Sequence, residues 1–291
     1  MTVDQQLAPT PAAGAATTTG GLRPPRGKSA TSLTPISALG LGIALTWFSL
    51  LVLIPLTAVL VQASAGGWSA YWNALTSPQT LAALKITVGQ AVLVTAVNIV
   101  MGTVIAWVLV RDQFAGKQLL EVVIDIPFAL PTIVAGLVLL SLYGPSSPLG
   151  LNWANTRFAV FLAFLFVTLP FIVRTVQPVL LELEHEVEEA AASLGASRFT
   201  TFRLVILPSL APAITSGAAL SFCRAISEYG SLVLLSGNLP YSTEVASVRI
   251  MSSVEGDHLT EAAAVASILL VVALIVIVTL DLISRRVARY A

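Results

Sequence analysis

The sequence predicts an all-α membrane protein with six transmembrane helices, and two observations support that prediction. Hydrophobic residues make up 56% of the chain and charged residues only 10%, whereas soluble domains carry roughly 25% charged residues. Apolar runs of about 20 residues recur, and each is long enough to cross a hydrocarbon core about 30 Å thick. Because such a core offers the backbone no water, each run is expected to be a helix.

The runs divide the chain into a tail, a first helix and a core domain over residues 80–284. Residues 1–34 are rich in Ala, Thr, Pro and Gly, which predicts a disordered tail. The sequence Gly27-Lys28-Ser29 in this tail does not complete a phosphate-binding loop, because no strand precedes it. The predicted transmembrane helices cover residues 36–62, 82–110, 119–143, 158–181, 208–235 and 262–283. Prolines in the third and fifth, at Pro127, Pro131 and Pro212, predict kinks.

The distribution of Lys and Arg predicts the orientation, since positive loops stay in the cytoplasm. Basic residues occur in the tail, after the second helix, after the fourth helix and at the C-terminus. The three opposite segments carry only Arg157 and Arg249. Both termini and the 182–207 loop are therefore expected in the cytoplasm. Lys85 is expected to extend its amine toward the outer end of the second helix.

The most informative segment is the 182–207 loop. Its Glu- and Ala-rich first part predicts a short helix, and Gly195 suits the left-handed position just past a helix end. Ser197 can cap a second helix, and Pro208 can open the fifth transmembrane helix. On composition alone, a partner-binding surface and an ordinary acidic loop are both open.

The spacing of seven residues in this loop resembles the conserved loop of permease subunits of ABC importers. The pattern is Glu-Ala-Ala, three residues, Gly, nine residues, then an aliphatic residue, any residue and Leu-Pro. Its members here are Glu189, Ala190, Ala191, Gly195, Val205, Leu207 and Pro208. The resemblance implies a type-I importer permease whose loop forms a coupling helix that docks on an ATPase subunit.

A second resemblance narrows the subfamily. Residues from about 80 onward are similar to T-type permeases of sulfate/thiosulfate transport systems, and molybdate permeases are the nearest alternative. The similarity lies in residues 127–132, 134–137, 170–180, 219–222, 224–225 and 228–230. Tyr229 departs from the pattern, since related permeases more often carry Phe there.

The resemblance also implies the partners and the division of chemistry. A second homologous permease, an ATPase dimer, an external anion-binding protein and the lipid bilayer are expected, and no nucleic acid. The chain is not expected to be an enzyme or to bind a cofactor, because ATP and Mg²⁺ would be used by the ATPase partner. It is expected in the cytoplasmic membrane.

Ionisable residues inside the predicted spans are costly and need partners or a wet cavity. Arg224 and Glu228 are four residues apart, which places them on one helical face. They are either a self-neutralising structural pair or part of an anion pathway. Glu121 and Asp125 are expected at the interface or paired with Arg174.

Two other classes of function fit the sequence less well than an importer permease. An ion-coupled secondary transporter should show matched broken repeats, and none is convincing. An intramembrane enzyme needs a nucleophile–base or metal constellation. No histidine lies in a span, Cys223 is the only cysteine, and His185 and His258 stand alone in loops. Neither a catalytic residue nor a metal site is therefore predicted.

Overall fold

The computed structural model describes residues 35–183 and 185–287, and every regular element in these two ranges is helical. The helices are α1 (Pro35–Phe48), α2 (Ile54–Ser64), α3 (Gly67–Thr76), α4 (Pro78–Arg111), α5 (Lys117–Ala129), α6 (Thr132–Tyr143), α7 (Arg157–Glu182), α8 (His185–Ser193), α9 (Arg198–Thr201), α10 (Leu207–Ile226), α11 (Gly230–Leu235), α12 (Ala246–Glu255) and α13 (Leu259–Val287). Two π-helical turns, Ser49–Leu53 and Phe202–Ile206, precede α2 and α10. The all-α prediction is confirmed. The expected tail over residues 1–34 lies outside the described residues.

Five helical stretches of the described chain are long and apolar enough to cross a membrane. They are Ile36–Ser64, Pro78–Arg111, Arg157–Glu182, Arg198–Ile226 and Leu259–Arg286. The helices α5 and α6 make a sixth crossing only if taken as one span, and they are bent by 116°. The kink predicted in residues 119–143 is thus a complete break, because Pro131 disfavours helical backbone at Leu130, which is extended at φ −83° and ψ 133°.

The described chain forms two compact units, which divide between Val52 and Leu53. The first unit contains α1, whose apolar side chains are almost all exposed, as suits a helix that contacts lipid. The second unit is a helical bundle with buried residues such as Phe164, Phe222 and Leu232 at its centre.

Within the second unit, α4 and α7 run side by side in the same direction. Asn98 Nδ2 donates to Thr168 Oγ1 at 2.8 Å, a pairing of residues 70 apart in the chain. A Cβ on Gly102 would lie 2.9 Å from Ile172 Cβ, which is the same offset one turn later. A constant offset means that the two helices stay in register along their contact.

The short helix α11 packs on α6 through two glycines. A Cβ on Gly136 would lie 2.7 Å from Ser231 Cα, and one on Gly230 would lie 2.8 Å from the Ile133 backbone nitrogen. Only glycine allows the two backbones to approach this closely. The contact explains why the predicted span 208–235 is interrupted: α10 ends at Ile226, and α11 restarts the chain in a different packing environment.

The segment that follows α11, the 236–245 loop, is fixed by hydrogen bonds of buried groups. Thr243 Oγ1 donates to the Ser236 carbonyl at 2.6 Å and accepts from the Leu239 N–H at 3.1 Å. Gln79 Nε2 donates to the buried carboxylate of Glu244 at 2.9 Å. These hydrogen bonds hold the 236–245 loop in a defined conformation at this end of the bundle.

Candidate functional site

The 182–207 loop contains the predicted helix–glycine–helix arrangement. Helix α8 is followed by Gly195 at φ +82°, a left-handed conformation that glycine adopts freely. The Gly195 N–H donates to the Ala192 carbonyl at 2.9 Å and closes the helix. Ser197 Oγ accepts from the Thr200 N–H at 3.2 Å and caps α9. The local prediction for Gly195 and Ser197 is confirmed.

Pro208 is the second residue of α10, as predicted. However, the helical backbone does not begin at α10, because it continues from α9. Helix α9, the π-helical turn and α10 form one continuous stretch, Arg198–Ile226. The Leu207 N–H bonds to the Phe202 carbonyl, five residues back. This irregular turn accommodates the missing N–H of proline.

The loop presents both charged and apolar side chains to its surroundings. Among the motif residues, Glu189, Ala190, Gly195 and Leu207 are exposed, and Ala191, Val205 and Pro208 are half-buried. Three apolar side chains outside the motif are far more exposed: Leu194 at 89%, Phe199 at 71% and Leu204 at 67%. All three belong to the charged 182–207 loop.

Arg111 attaches α8 to the end of α4. Its Nη2 pairs with Glu188 Oε1, and its guanidinium lies 5.5 Å from the ring centroid of Trp107. Trp107 in turn meets Phe202 edge-to-face at a centroid distance of 5.8 Å. The sequence did not predict this pairing, since residues 77 apart in the chain form no local pattern.

These contacts border a groove of about 550 Å³ between the loop and the bundle. Its lining residues are Trp107, Arg111, Glu188, Ala192, Ala196, Arg198, Thr201, Phe202 and Ile206. Glu188 therefore faces the bundle, whereas its neighbour Glu189 is exposed.

Arg224 and Glu228 form the expected ion pair, with Arg224 Nη1 2.6 Å from Glu228 Oε2. The expectation that they share one helical face needs correction, because α10 ends at Ile226 and Glu228 lies in the break before α11. Glu228 Oε1 accepts from the Ser231 N–H and Oγ–H, both at 2.9 Å. The carboxylate thus caps the start of α11, while 27% of the Arg224 side chain is exposed.

Asp125 pairs with Arg174, one of the two arrangements expected from the sequence. Arg174 Nε donates to Asp125 Oδ1 at 2.8 Å, and Nη2 contacts Oδ2. Arg174 Nη1 donates to Gln177 Oε1 at 2.9 Å. Glu121 contributes its backbone carbonyl to Arg174, at 3.5 Å. The pair joins α5 to α7.

A buried polar cluster at the centre of the bundle was not predicted. Asn98 Nδ2 donates to Thr168 Oγ1 at 2.8 Å and to Ser221 Oγ at 3.4 Å, which links α4, α7 and α10. Hydrogen bonds between polar side chains hold helices together in membranes. No local sequence pattern identifies this cluster, because Thr168 and Ser221 lie 70 and 123 residues from Asn98 in the chain.

Within the two described ranges, no three His, Cys, Asp or Glu side chains are grouped so that they could hold a metal ion. Cys223 is half-buried and free.

Comparison with known proteins identifies the family. The family model described as "Binding-protein-dependent transport system inner membrane component" matches residues 98–289. The chain belongs to this family. It is 40% identical to the sulfate transport system permease protein CysT of Salmonella typhimurium over 268 residues, which is 90% of this chain and 97% of that protein. The CysT protein of Synechocystis sp. is 43% identical, covering 86% of this chain and 90% of the relative.

A solved structure shows the same fold. A bacterial ABC transporter involved in the import of the acidic polysaccharide alginate aligns with a TM-score of 0.72 at 18% identity. The alignment covers 86% of this chain and 95% of the other. The prediction of a multi-pass inner-membrane permease, as opposed to an intramembrane enzyme or an ion-coupled carrier, is confirmed by the family.

Proposed function

We propose that this chain is one of two permease subunits through which an ATP-driven importer moves sulfate and thiosulfate across the cytoplasmic membrane. Identity of 40% to a sulfate permease over 90% of the chain is the observation that carries the proposal. A second, homologous permease completes the pore. An ATPase dimer that uses ATP and Mg²⁺ binds inside, and an anion-binding protein delivers the cargo from outside.

The 182–207 loop is the proposed contact with the ATPase. Support comes from the seven-residue motif and from the exposed side chains of Leu194, Phe199 and Leu204 at the same end of the bundle. A fixed helix–glycine–helix shape allows the loop to transmit movement, since Gly195 sets the angle between α8 and α9. The ion pair of Glu188 with Arg111 connects that movement to α4.

The proposed orientation places both termini and the 182–207 loop in the cytoplasm. Residues 236–261, which include the 236–245 loop, lie outside. The excess of Lys and Arg in the segments on the 182–207 side supports it. Arg111, Lys117, Arg198 and Arg203 belong to those segments.

Selectivity for the anion is proposed to reside mainly in the external binding protein. Discrimination among oxyanions needs many satisfied hydrogen bonds in a closed site. Arg224 is the basic residue proposed for the pathway, but Glu228 neutralises it locally at 2.6 Å. Molybdate remains the second candidate cargo because its permeases share part of the same motifs.

Uptake of labelled sulfate in a strain lacking its own T-type permease tests the proposal. Expression of this chain together with its partner subunits is expected to restore uptake, and deletion of the ATPase is expected to abolish it. Unlabelled thiosulfate should compete strongly and molybdate weakly. Uptake that persists without the ATPase contradicts an ATP-driven importer, and stronger competition by molybdate reassigns the cargo.

A further inference from the structure

A cleft of about 390 Å³ with two cationic side chains in its lining lies at the bundle end opposite the 182–207 loop. It is bordered by one face of α4, the first residue of α7 and the 236–245 loop. The lining residues are Ala82, Lys85, Ile86, Gly89, Gln90, Arg157 and Tyr241.

The register of the bundle explains why Lys85 and Arg157 meet there. Helices α4 and α7 run in parallel with an offset of 70 residues, as the pair Asn98 and Thr168 shows. Carrying that offset back places the start of α7 beside residue 87, within a turn of Lys85. Both cationic residues therefore belong to helices of the bundle.

In the described part of the chain, Lys85 and Arg157 have no carboxylate partner, unlike four arginines of the bundle. Arg111, Arg174, Arg224 and Arg249 each pair with a Glu or Asp. Within the described residues, neither Lys85 nor Arg157 forms an ion pair, and no acidic side chain lines the cleft.

Glu244 is the acidic residue closest along the chain to the loop wall of the cleft. It is only 4% exposed, and its carboxylate accepts from Gln79 Nε2 at 2.9 Å. It is absent from the lining of the cleft. Its carboxylate is therefore bound to Gln79 and forms no ion pair with Lys85 or Arg157 in the described chain.

Arg157 is held in place while part of its guanidinium remains available. Its Nε donates to the Ser242 carbonyl at 3.0 Å, and Nη2 reaches the Tyr241 carbonyl at 3.5 Å. An arginine has five N–H donors, so Nη1 is left to face a ligand.

The remaining wall also suits a polar ligand. Gln90 Oε1 is buried without a hydrogen-bond partner in the described chain, and an amide can turn to present its NH₂ group instead. Gly89 is exposed, and a Cβ there would meet nothing within 4 Å, so the backbone leaves open space one turn from Lys85.

We propose that this cleft is a transit site for a tetrahedral oxyanion, bound by Lys85 and Arg157 at the outer mouth of the permeation path. The inference rests on the proposed function, because sulfate is the oxyanion that the importer would carry. Two cations attract a dianion, but an open, water-filled cleft screens the attraction, so binding should be weak and should decline with salt. A lipid phosphate offers the same chemistry and is the competing source of the ligand.

Lys85→Gln is the central variant, because Lys85 is exposed and its removal leaves no described group without a partner. Lys85→Arg restores the charge. Lys117→Gln is the matched control, since Lys117 begins α5 beyond the other end of α4. The complete transporter, reconstituted with its binding protein, is assayed for sulfate uptake at low and at high ionic strength.

We expect Lys85→Gln to lower the maximal uptake rate severalfold at low ionic strength and to lose most of the salt dependence. Lys85→Arg should restore both, and Lys117→Gln should match the wild type. Equal uptake and equal salt response of wild type and Lys85→Gln overturn the transit site and leave the permease function intact.

Failure of the wild type to take up sulfate contradicts the proposed cargo instead. The same variants assayed with whichever oxyanion the wild type carries then test the site.

Reconstitution in neutral and in phosphatidylglycerol vesicles distinguishes a transported oxyanion from a lipid phosphate as the ligand of the cleft. If Lys85→Gln changes only the response to the anionic lipid, the cleft binds lipid phosphate and the transit proposal is wrong.

Discussion

The 182–207 loop and the 236–245 loop lie at opposite ends of one bundle and are held in opposite ways. In the 236–245 loop, Thr243 and Glu244 are buried and hydrogen-bonded to the surrounding chain. In the 182–207 loop, Leu194 is 89% exposed, and α8 is tied to α4 through the pair of Glu188 and Arg111.

This difference predicts that substitutions in the two loops have different effects. Regions with many buried contacts resist local opening, whereas elements that move are drawn from regions with few. Substitutions in the 236–245 loop should therefore lower the stability of the protein. Substitutions in the 182–207 loop should spare stability and act on the transfer of movement between ATPase and pore.

Because the two loops lie at opposite ends of the bundle, we expect them on opposite sides of the membrane. A thiol reagent that cannot cross the membrane should then label only one of them in intact cells. Ser193 and Ser242 are exposed and belong to the two loops. In a Cys223→Ala background, Ser242→Cys should react with an impermeant maleimide added to intact cells. Ser193→Cys should react only after the membrane is permeabilised. Labelling of Ser193→Cys from outside contradicts the orientation.

The largest expected loss of stability comes from the Arg224–Glu228 pair. Glu228 is 1% exposed, and its backbone carbonyl also accepts from Ser247 Oγ of α12. The residue is therefore held in the interior of the bundle by several contacts. Removing one partner strands a buried charge at a cost of about 3–5 kcal/mol. Arg224→Met should therefore melt at a much lower temperature in detergent than the wild type.

Adding Glu228→Gln to Arg224→Met should restore most of the lost stability. Glutamine keeps the oxygen that accepts from the Ser231 N–H but carries no charge. If the double variant is folded but does not support uptake, Arg224 belongs to the anion pathway. No recovery of stability in the double variant argues against a simple charge pair.

Substitutions of motif residues in the 182–207 loop should leave stability unchanged and lower uptake. Glu189→Lys reverses an exposed charge, and Gly195→Pro demands φ near −65° where the chain has +82°. We expect each variant to insert and fold normally but to lose at least about tenfold in uptake, equivalent to about 1.4 kcal/mol of lost coupling. ATP hydrolysis should continue without transport.

Glu186→Lys is the matched control for Glu189→Lys, because Glu186 is also exposed on α8 but is not part of the motif. It should retain uptake. Normal uptake by Glu189→Lys and Gly195→Pro at normal expression contradicts the proposal that the 182–207 loop transmits movement from the ATPase.

The two loops also show what sequence could predict. Gly195 and Ser197 were predictable because a helix end and a cap are local, requiring only a few neighbouring residues. The break at Glu228 was not predictable. It depends on the close approach of α6 and α11 at Gly136 and Gly230. It also depends on the Glu228 carboxylate, which accepts from the Ser231 N–H. Pro131 predicted a kink, and the chain has a break of 116° there because Pro131 disfavours helical backbone at Leu130.

A smaller loss of stability is expected at Thr243. Thr243→Val removes the hydroxyl that bonds both the Ser236 carbonyl and the Leu239 N–H. Leaving buried backbone groups unpaired costs about 1–3 kcal/mol. The melting temperature in detergent should fall while uptake per folded molecule is retained. Thr243→Ser should behave as the wild type, and Ser193→Ala in the other loop should change stability by less than about 0.5 kcal/mol. An unchanged melting temperature for Thr243→Val contradicts the view of this loop as a fixed frame.

The smallest expected effect tests whether the Arg111–Glu188 pair tethers α8 to α4. The Glu188 side chain is 27% exposed and that of Arg111 only 9%, and Arg111 also packs on Trp107, so the two partners are not equivalent. Glu188→Gln should lower uptake about twofold to fivefold, equivalent to about 0.4–1 kcal/mol. Arg111→Gln should lower it further, because it also removes the cation–π contact, whereas Glu186→Gln should have no effect. The double variant Arg111→Gln with Glu188→Gln should be no worse than Arg111→Gln alone, because the two changes remove the same interaction. Strictly additive losses in this cycle would mean that the pair does not act as a unit, and the tether would then have to lie in the contact between Trp107 and Phe202.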